Sequence, residues 1–302
     1  MSRVYRFNIW RGQLAVLVVF LILGGLWLAG NWARLLAGLA RVDYLGRGEV
    51  RSTVDLSGIL IADQRVLVAP SAGRIQWLVR DGDRVRVGET VARITTADGE
   101  TSDVNTPAAG LLSYTTDGLE TVLRPAALAG MTMPTLTGIK SVTVADGQEV
   151  AAGQSVGRVT DNLAPVYLYV GEKAPPGLGA AGKAWAITWR GQDLTATVSP
   201  LRGKEGGLFL KLTRYPDEML ALRGVNFSVV TQTLTGRLVP ATAVVSRDGR
   251  TGIYLDENGQ AQWVAVRVTG SLQGMDRLAG LPAGSVLYVV NPRWVRDGVP
   301  VS

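Results

Sequence analysis

A sixteen-residue pattern occurs twice in this chain. Val79–Ile94 reads VRDGDRVRVGETVARI and Val144–Val159 reads VADGQEVAAGQSVGRV, with seven identical positions. An internal repeat constrains architecture before any local propensity does. In each copy, short valine-rich runs flank Asp-Gly, a tight-turn dipeptide, and a second glycine follows six residues later. Gly82, Gly88, Gly147 and Gly153 are therefore structural turn positions. The copies read as two halves of one small pseudo-symmetric β sandwich. Upstream, Ala69–Ile75 (APSAGRI) is echoed by Thr106–Leu112 (TPAAGLL). Gly73 lies six residues before Val79, but Gly110 lies thirty-four before Val144. The second half thus carries an insertion of about twenty-eight residues, near 116–141. A polar bridge near 95–104 joins the halves.

Composition narrows the chemistry. The 302 residues include 37 glycines and 13 prolines among many short valine-rich runs, which favours β structure. The net charge of +6 comes without a Lys/Arg cluster interleaved with aromatics, so it reads as a solvated basic surface and not a nucleic-acid site. There is no cysteine and no histidine. That removes disulfides, thiolate sites, Ser-His-Asp triads and the usual catalytic zinc sites. Asp81, Asp83, Asp146, Asp248 and Asp256 sit in turn contexts, and no carboxylate pair stands out from them. No residue is assigned a catalytic, metal-binding or cofactor role.

Near the N-terminus, Leu14–Gly30 is a seventeen-residue apolar run. Taken to the flanking charges Arg11 and Arg34, the span 12–33 would cover roughly 33 Å as a helix, close to the ~30 Å hydrocarbon core. Trp10 and Trp32 fall at the two expected interfaces. A cleaved signal peptide is the alternative, but its apolar region is usually only about 7–15 residues. The span is expected to be a single membrane anchor. Arginines are nearly balanced on its two sides, so charge alone does not orient it.

The motif Pro-x-x-Gly-x-Ile (70–75), followed by Val-x-x-Gly-x-x-Val-x-x-Gly-x-x-Val (79–91) and its second copy, resembles the biotinyl/lipoyl-carrier fold. The form is that of the membrane fusion proteins, the HlyD-like periplasmic adaptors of efflux and secretion systems. The half-motif also resembles lysostaphin-type zinc endopeptidases, but those need histidine ligands. The resemblance implies a cytoplasmic N-terminal tail and a plasma-membrane protein with its C-terminal part extracytoplasmic. Two family features are missing at the bridge. The first lysine of the chain is Lys140, so no modifiable lysine stands at the tip and no lipoate or biotin is expected. The bridge is also too short for the long α-helical coiled-coil hairpin of many export adaptors, which favours an envelope without an outer membrane.

Further along, five strands are expected from Val166 to Val230, separated by Gly/Pro-rich turns, and they suggest a small barrel. Trp185 and Trp189, four apart on one strand, share a face. Leu238–Val245 is similar to the stretch that enters the membrane-proximal domain of these adaptors. Within the insertion, Leu119, Val122, Leu123, Ala126 and Ala127 have helical spacing, interrupted at Pro125. This segment reads either as a cap on the sandwich or as a partner-docking element formed by Leu119, Val122, Leu123, Met131 and Met133.

The expected chain is mainly β. Its order is a tail (1–11), a transmembrane helix (12–33), a linker and strand of the membrane-proximal domain (34–65), a lipoyl-like sandwich (66–160), a β-barrel (161–235) and a membrane-proximal β domain (236–302). The resemblance implies a non-enzymatic adaptor, possible as a homo-oligomer, docking on an inner-membrane transporter of ABC or RND type. A non-transport envelope or cell-division scaffold is the second reading, and a carboxylate enzyme acting on wall polymers is the third.

Overall fold

The structure, a computed structural model, describes residues 17–27, 40–129, 140–171, 179–203, 207–282, 287–293 and 295–301. They are mainly β, and they fall into two compact units, Thr53–Thr231 and Met1–Ser52 with Gln232–Ser302. Residues 17–27 are helical with apolar side chains exposed all round, Phe20 to 72 %. Among the described residues no helix is long and apolar enough to cross a membrane. The rest of the expected span 12–33 lies outside the described residues.

In the first unit the repeat folds as a sandwich of two four-stranded antiparallel sheets. One sheet runs Glu149–Val150, Gly73–Trp77, Thr90–Thr95, Thr101–Asn105. The other runs Arg84–Val85, Gly110–Ser113, Ser155–Thr160, Gln64–Val68. The two orders correspond strand for strand under the repeat. Each sheet takes its two-residue edge strand from the opposite half, so neither half completes a sheet alone. Apolar residues of both halves, among them Leu67, Ile75, Val91, Ile94, Leu112 and Val156, fill one shared core.

Gly73 and Gly110 make that pairing possible. Each has its backbone pressed against a carbonyl of its own sheet, where a Cβ would overlap the Thr95 and Thr160 oxygens respectively. The turn glycines differ. Gly82, Gly88, Gly147 and Gly153 have φ of +85°, +77°, +75° and +80°, and open space where a Cβ would lie. They are needed for backbone conformation and not for room.

Six strands close the barrel. Ala184–Trp189 pairs with Gln192–Arg202, which pairs with Leu208–Leu212, then Val166–Val170, then Arg47–Ile61, then Gly224–Pro240, which returns to Ala184–Trp189. Five of these were legible as strands near Val166–Val230. The sixth comes from before the sandwich, through the Thr53–Ile61 part of its strand. Trp185 and Trp189 both point into the barrel core with Leu60, Leu168, Leu210 and Phe227.

The insertion starts as a short ladder between Thr115–Thr116 and Val142–Thr143. Its expected helix is not formed. Among residues 119–128 there are a turn at 120–122 and a 3-10 helix at Pro125–Ala127. The Asp117 carboxylate caps the Leu119 amide at 3.0 Å, and Arg124 is held extended before Pro125 (φ −115°, ψ 144°), which stops an α-helix from running through.

In the second unit, Arg250–Glu257 pairs with Val245–Arg247 and with Gln260–Ala265. The connecting turns Asp248-Gly249 and Asn258-Gly259 have φ of 51° and 74°, and 57° and 80°, the left-handed pairs of type I′ hairpins. Leu287–Val289 joins this sheet and pairs with Val42–Tyr44. Met275–Ala279 pairs with Leu238–Pro240 and with Arg267–Leu272.

Substitutions should separate the two kinds of glycine. Gly82→Val and Gly147→Val should each cost about 1–2 kcal/mol of backbone strain. Gly73→Ala and Gly110→Ala, despite the smaller side chain, should each cost more than about 2 kcal/mol, because a carbonyl must move. Denaturant melts of the four variants test this ordering.

Candidate functional site

The repeat brings Trp77 and Tyr114, equivalent positions of the two halves, face to face. Their rings stack 3.9 Å apart at 11°. Each is held by the turn of the other half. The Trp77 amide donates to Asp146 Oδ1 and the Tyr114 amide to Asp81 Oδ1, both at 2.7 Å. Trp77 Nε1 donates to the Val144 carbonyl at 3.0 Å, and the Tyr114 hydroxyl donates to the Val79 carbonyl. Burial, followed by the charges of Asp81, Asp146 and Asp83, pushes the Tyr114 pKa up, so its hydroxyl remains a donor. The turn amides complete the exchange. Gly82 N donates to Leu112 O at 2.9 Å, and Gly147 N donates to Ile75 O at 2.8 Å. Gly88 N reaches Thr106 O at 2.8 Å, and Gly153 N reaches Ala69 O at 2.9 Å. The four predicted turn glycines thus occupy equivalent places in pairs.

The hairpin joining the halves is closed tightly. Thr96 N donates to Glu100 O at 2.8 Å and Gly99 N to Thr96 O at 3.0 Å. The tip offers threonine, alanine, aspartate and glycine but no amine. Among the described residues no group of three or more acidic side chains is placed to hold a metal. At the end of the sandwich carrying Gly88, Val87 is 69 % and Leu163 87 % exposed, beside an open cleft of about 400 Å³ lined also by Pro107 and Ala109.

Of the residues expected to dock a partner, Leu123 is fully buried and Leu119 packs beside it against the outside of the barrel. Val122 is 49 % exposed. Met131 and Met133 lie outside the described residues.

Beneath this segment is a buried charged cluster. Asp117 and Glu120 come from the insertion, Arg158 from the sandwich and Arg223 from the barrel. Arg223 grips Asp117 with two hydrogen bonds, Nε to Oδ2 at 2.7 Å and one terminal nitrogen to Oδ1 at 3.0 Å. That same nitrogen reaches Gln64 Oε1 at 2.9 Å, and the other reaches the Leu60 carbonyl at 3.1 Å. Arg158 lies 3.3 Å from Glu120 and 3.6 Å from Asp117. Burial would raise the Asp117 pKa, but hydrogen bonds from Arg223 and the Leu119 amide, with the charges of Arg223 and Arg158, hold it below the ordinary carboxylate value. Burial, and then the neighbouring Arg223 charge, lowers the Arg158 pKa against the pull of Asp117 and Glu120. The only sequence signal was the identity of Arg158 with Arg93. Arg93 pairs with Asp103 at the surface, 2.8 Å away, so the repeat gave no hint of a buried partner.

Residues 64–161 match the family model described as RND related, barrel-sandwich hybrid domain. The match covers the two-half sandwich and agrees with the carrier-like reading of that segment. No curated protein matches the chain. Among solved structures, the chain is similar to ZneB from Cupriavidus metallidurans (13 % identity, TM-score 0.37, covering 86 % of this chain and 94 % of that one). It is similar also to MacA from Actinobacillus actinomycetemcomitans (13 %, 0.34, 82 % and 99 %). A putative efflux transporter from Bacteroides eggerthii gives 13 %, 0.33, 81 % and 90 %.

The depressed Asp117 pKa has a definite sign. Its ionised form stabilises the fold above the unfolded carboxylate pKa, and that contribution is lost as pH falls through the lower folded value. Asp117→Asn should cost about 3 kcal/mol near neutrality. The deficit relative to the parent should shrink below about pH 4. Urea melts of both proteins across this range test the prediction, and a pH-independent deficit would contradict it.

Proposed function

We propose that this chain is a membrane-anchored extracytoplasmic adaptor of the membrane fusion kind, docking on or scaffolding an inner-membrane transporter for efflux or secretion. The observation that carries the reading is the two-half carrier sandwich, with strands exchanged between halves, in the segment that matches the RND-related model. The closed barrel after it supports the reading, as does the pairing of Val42–Tyr44 with the C-terminal part of the chain. The anchor over 12–33 is part of the proposal and rests on the apolar run Leu14–Gly30 of the sequence. In this reading the protein is not an enzyme. It works by presenting β modules outside the membrane, singly or as a homo-oligomer. Val122, with Met131 and Met133, remains the proposed docking segment, while Leu119 and Leu123 are turned onto the barrel wall and position it.

A scaffold without a transport role is the second reading, with wall or division proteins as partners. The tight hairpin at Thr96–Glu100 favours it, because nothing extends from this tip to bridge to a distant channel.

Crosslinking of the tagged full-length protein in its native membrane, with partners identified by mass spectrometry, separates the two. The adaptor reading expects a transporter permease or ATPase as the main partner. Division or wall-synthesis proteins without a transporter would replace it with the scaffold reading. The same preparation should keep the protein in the membrane through an alkaline wash, and its release would contradict the anchor.

A further inference from the structure

The insertion joins the sandwich to the barrel at two levels. On the surface, Leu119, Leu123 and Leu128 cover Ile61, Tyr169 and Phe209 on the outside of the barrel. The alternate residues Leu60, Leu168 and Leu210 of the same strands face the barrel interior, so this wall is apolar on both sides. An antiparallel barrel exposed to water would present polar residues outward. Here the wall is built to be covered, and residues 117–128 cover it. Below, Arg223 of the barrel holds Asp117 of the insertion and Gln64 of the sandwich, while Arg158 of the sandwich lies against both insertion carboxylates. One arginine from each module flanks Asp117.

We propose that residues 117–128 are a clasp that locks the carrier-like sandwich and the barrel into one rigid body, with the Arg158–Asp117–Arg223 cluster as its lock. Two arginines and two carboxylates neutralise one another. Apolar residues of similar volume would cost less to bury than these charges. The arrangement even leaves Arg158 Nε buried with no hydrogen-bond partner. What the cluster supplies is direction. The planar guanidinium of Arg223 meets Asp117 through two parallel bonds and is fixed by a barrel carbonyl, so it accepts one relative orientation of insertion, barrel and sandwich. A purely greasy contact would let the two β modules slide. Movement imposed on the barrel is therefore passed to the sandwich and its hairpin tip, and is not absorbed at the junction. The clasp stands whatever partner the protein serves.

The absence of native cysteine makes the test direct. Cysteines placed at Asp98, on the hairpin tip, and at Thr195, on the barrel, carry spin labels in the full-length protein, and their distance distribution is measured by electron paramagnetic resonance. A single narrow distribution is expected. Arg223→Lys, which keeps the charge but loses the bidentate grip, should broaden it or add a second population. A broad distribution in the parent, or an Arg223→Lys distribution as narrow as the parent's, overturns the proposal. Hydrogen exchange on the unsubstituted protein covers the case in which Arg223→Lys fails to fold. The amides of Val122 and Leu123, bonded within the clasp, should be protected to within about tenfold of the strand Ser155–Thr160, as members of one cooperative unit. Exchange at the rate of a free surface loop would overturn it.

Discussion

The first unit depends on the exchange of hydrogen bonds between the two halves of the repeat. Asp81 and Asp146 each cap a strand of the other half, the turn glycine beside each donates across to it, and Trp77 and Tyr114 stack where the halves meet. Because each sheet includes an edge strand from the opposite half, the core cannot form half by half. The sandwich is a single cooperative object. The short backbone approaches at Gly73 and Gly110 are the steric condition for it.

On this symmetric frame the two halves have diverged. At the same repeat position, Arg93 makes a solvent-exposed pair with Asp103 within its own sheet, while Arg158 turns into a buried cluster with the insertion. An exposed pair of the first kind contributes little. The second kind is expensive to break, because loss of one member leaves a buried charge without its partner. Both halves reach the barrel, the first through Arg84 on Asp217 at 2.8 Å and through Gln64 on Arg223, but the buried ion cluster belongs to the half that carries the insertion.

Several aspartates have structural uses: Asp81 and Asp146 cap strands of the opposite halves, and Asp256 closes the Asn258-Gly259 turn. Val87 and Leu163 are apolar side chains left exposed at the edge of the sandwich.

Much of this was legible in the chain itself. Asp-Gly followed by a glycine six residues later specifies two turns whatever surrounds them, because few other residues tolerate positive φ. The repeat of that unit named the sandwich, and the Gly-rich separators named most of the barrel. The tertiary structure decided the rest. The sixth barrel strand is separated from the other five by the whole sandwich, and no local pattern carries that pairing. The insertion's apolar spacing suggested a helix, but Leu119 and Leu123 are apolar in order to cover the barrel wall, while capping by Asp117 and the approach to Pro125 chose an irregular path. The ion cluster joins residues as far apart as Gln64 and Arg223, each ordinary where it stands in sequence. Turn chemistry is local and is written in adjacent residues. Burial of charge is a property of what folds over it, and only the assembled modules supply that cover.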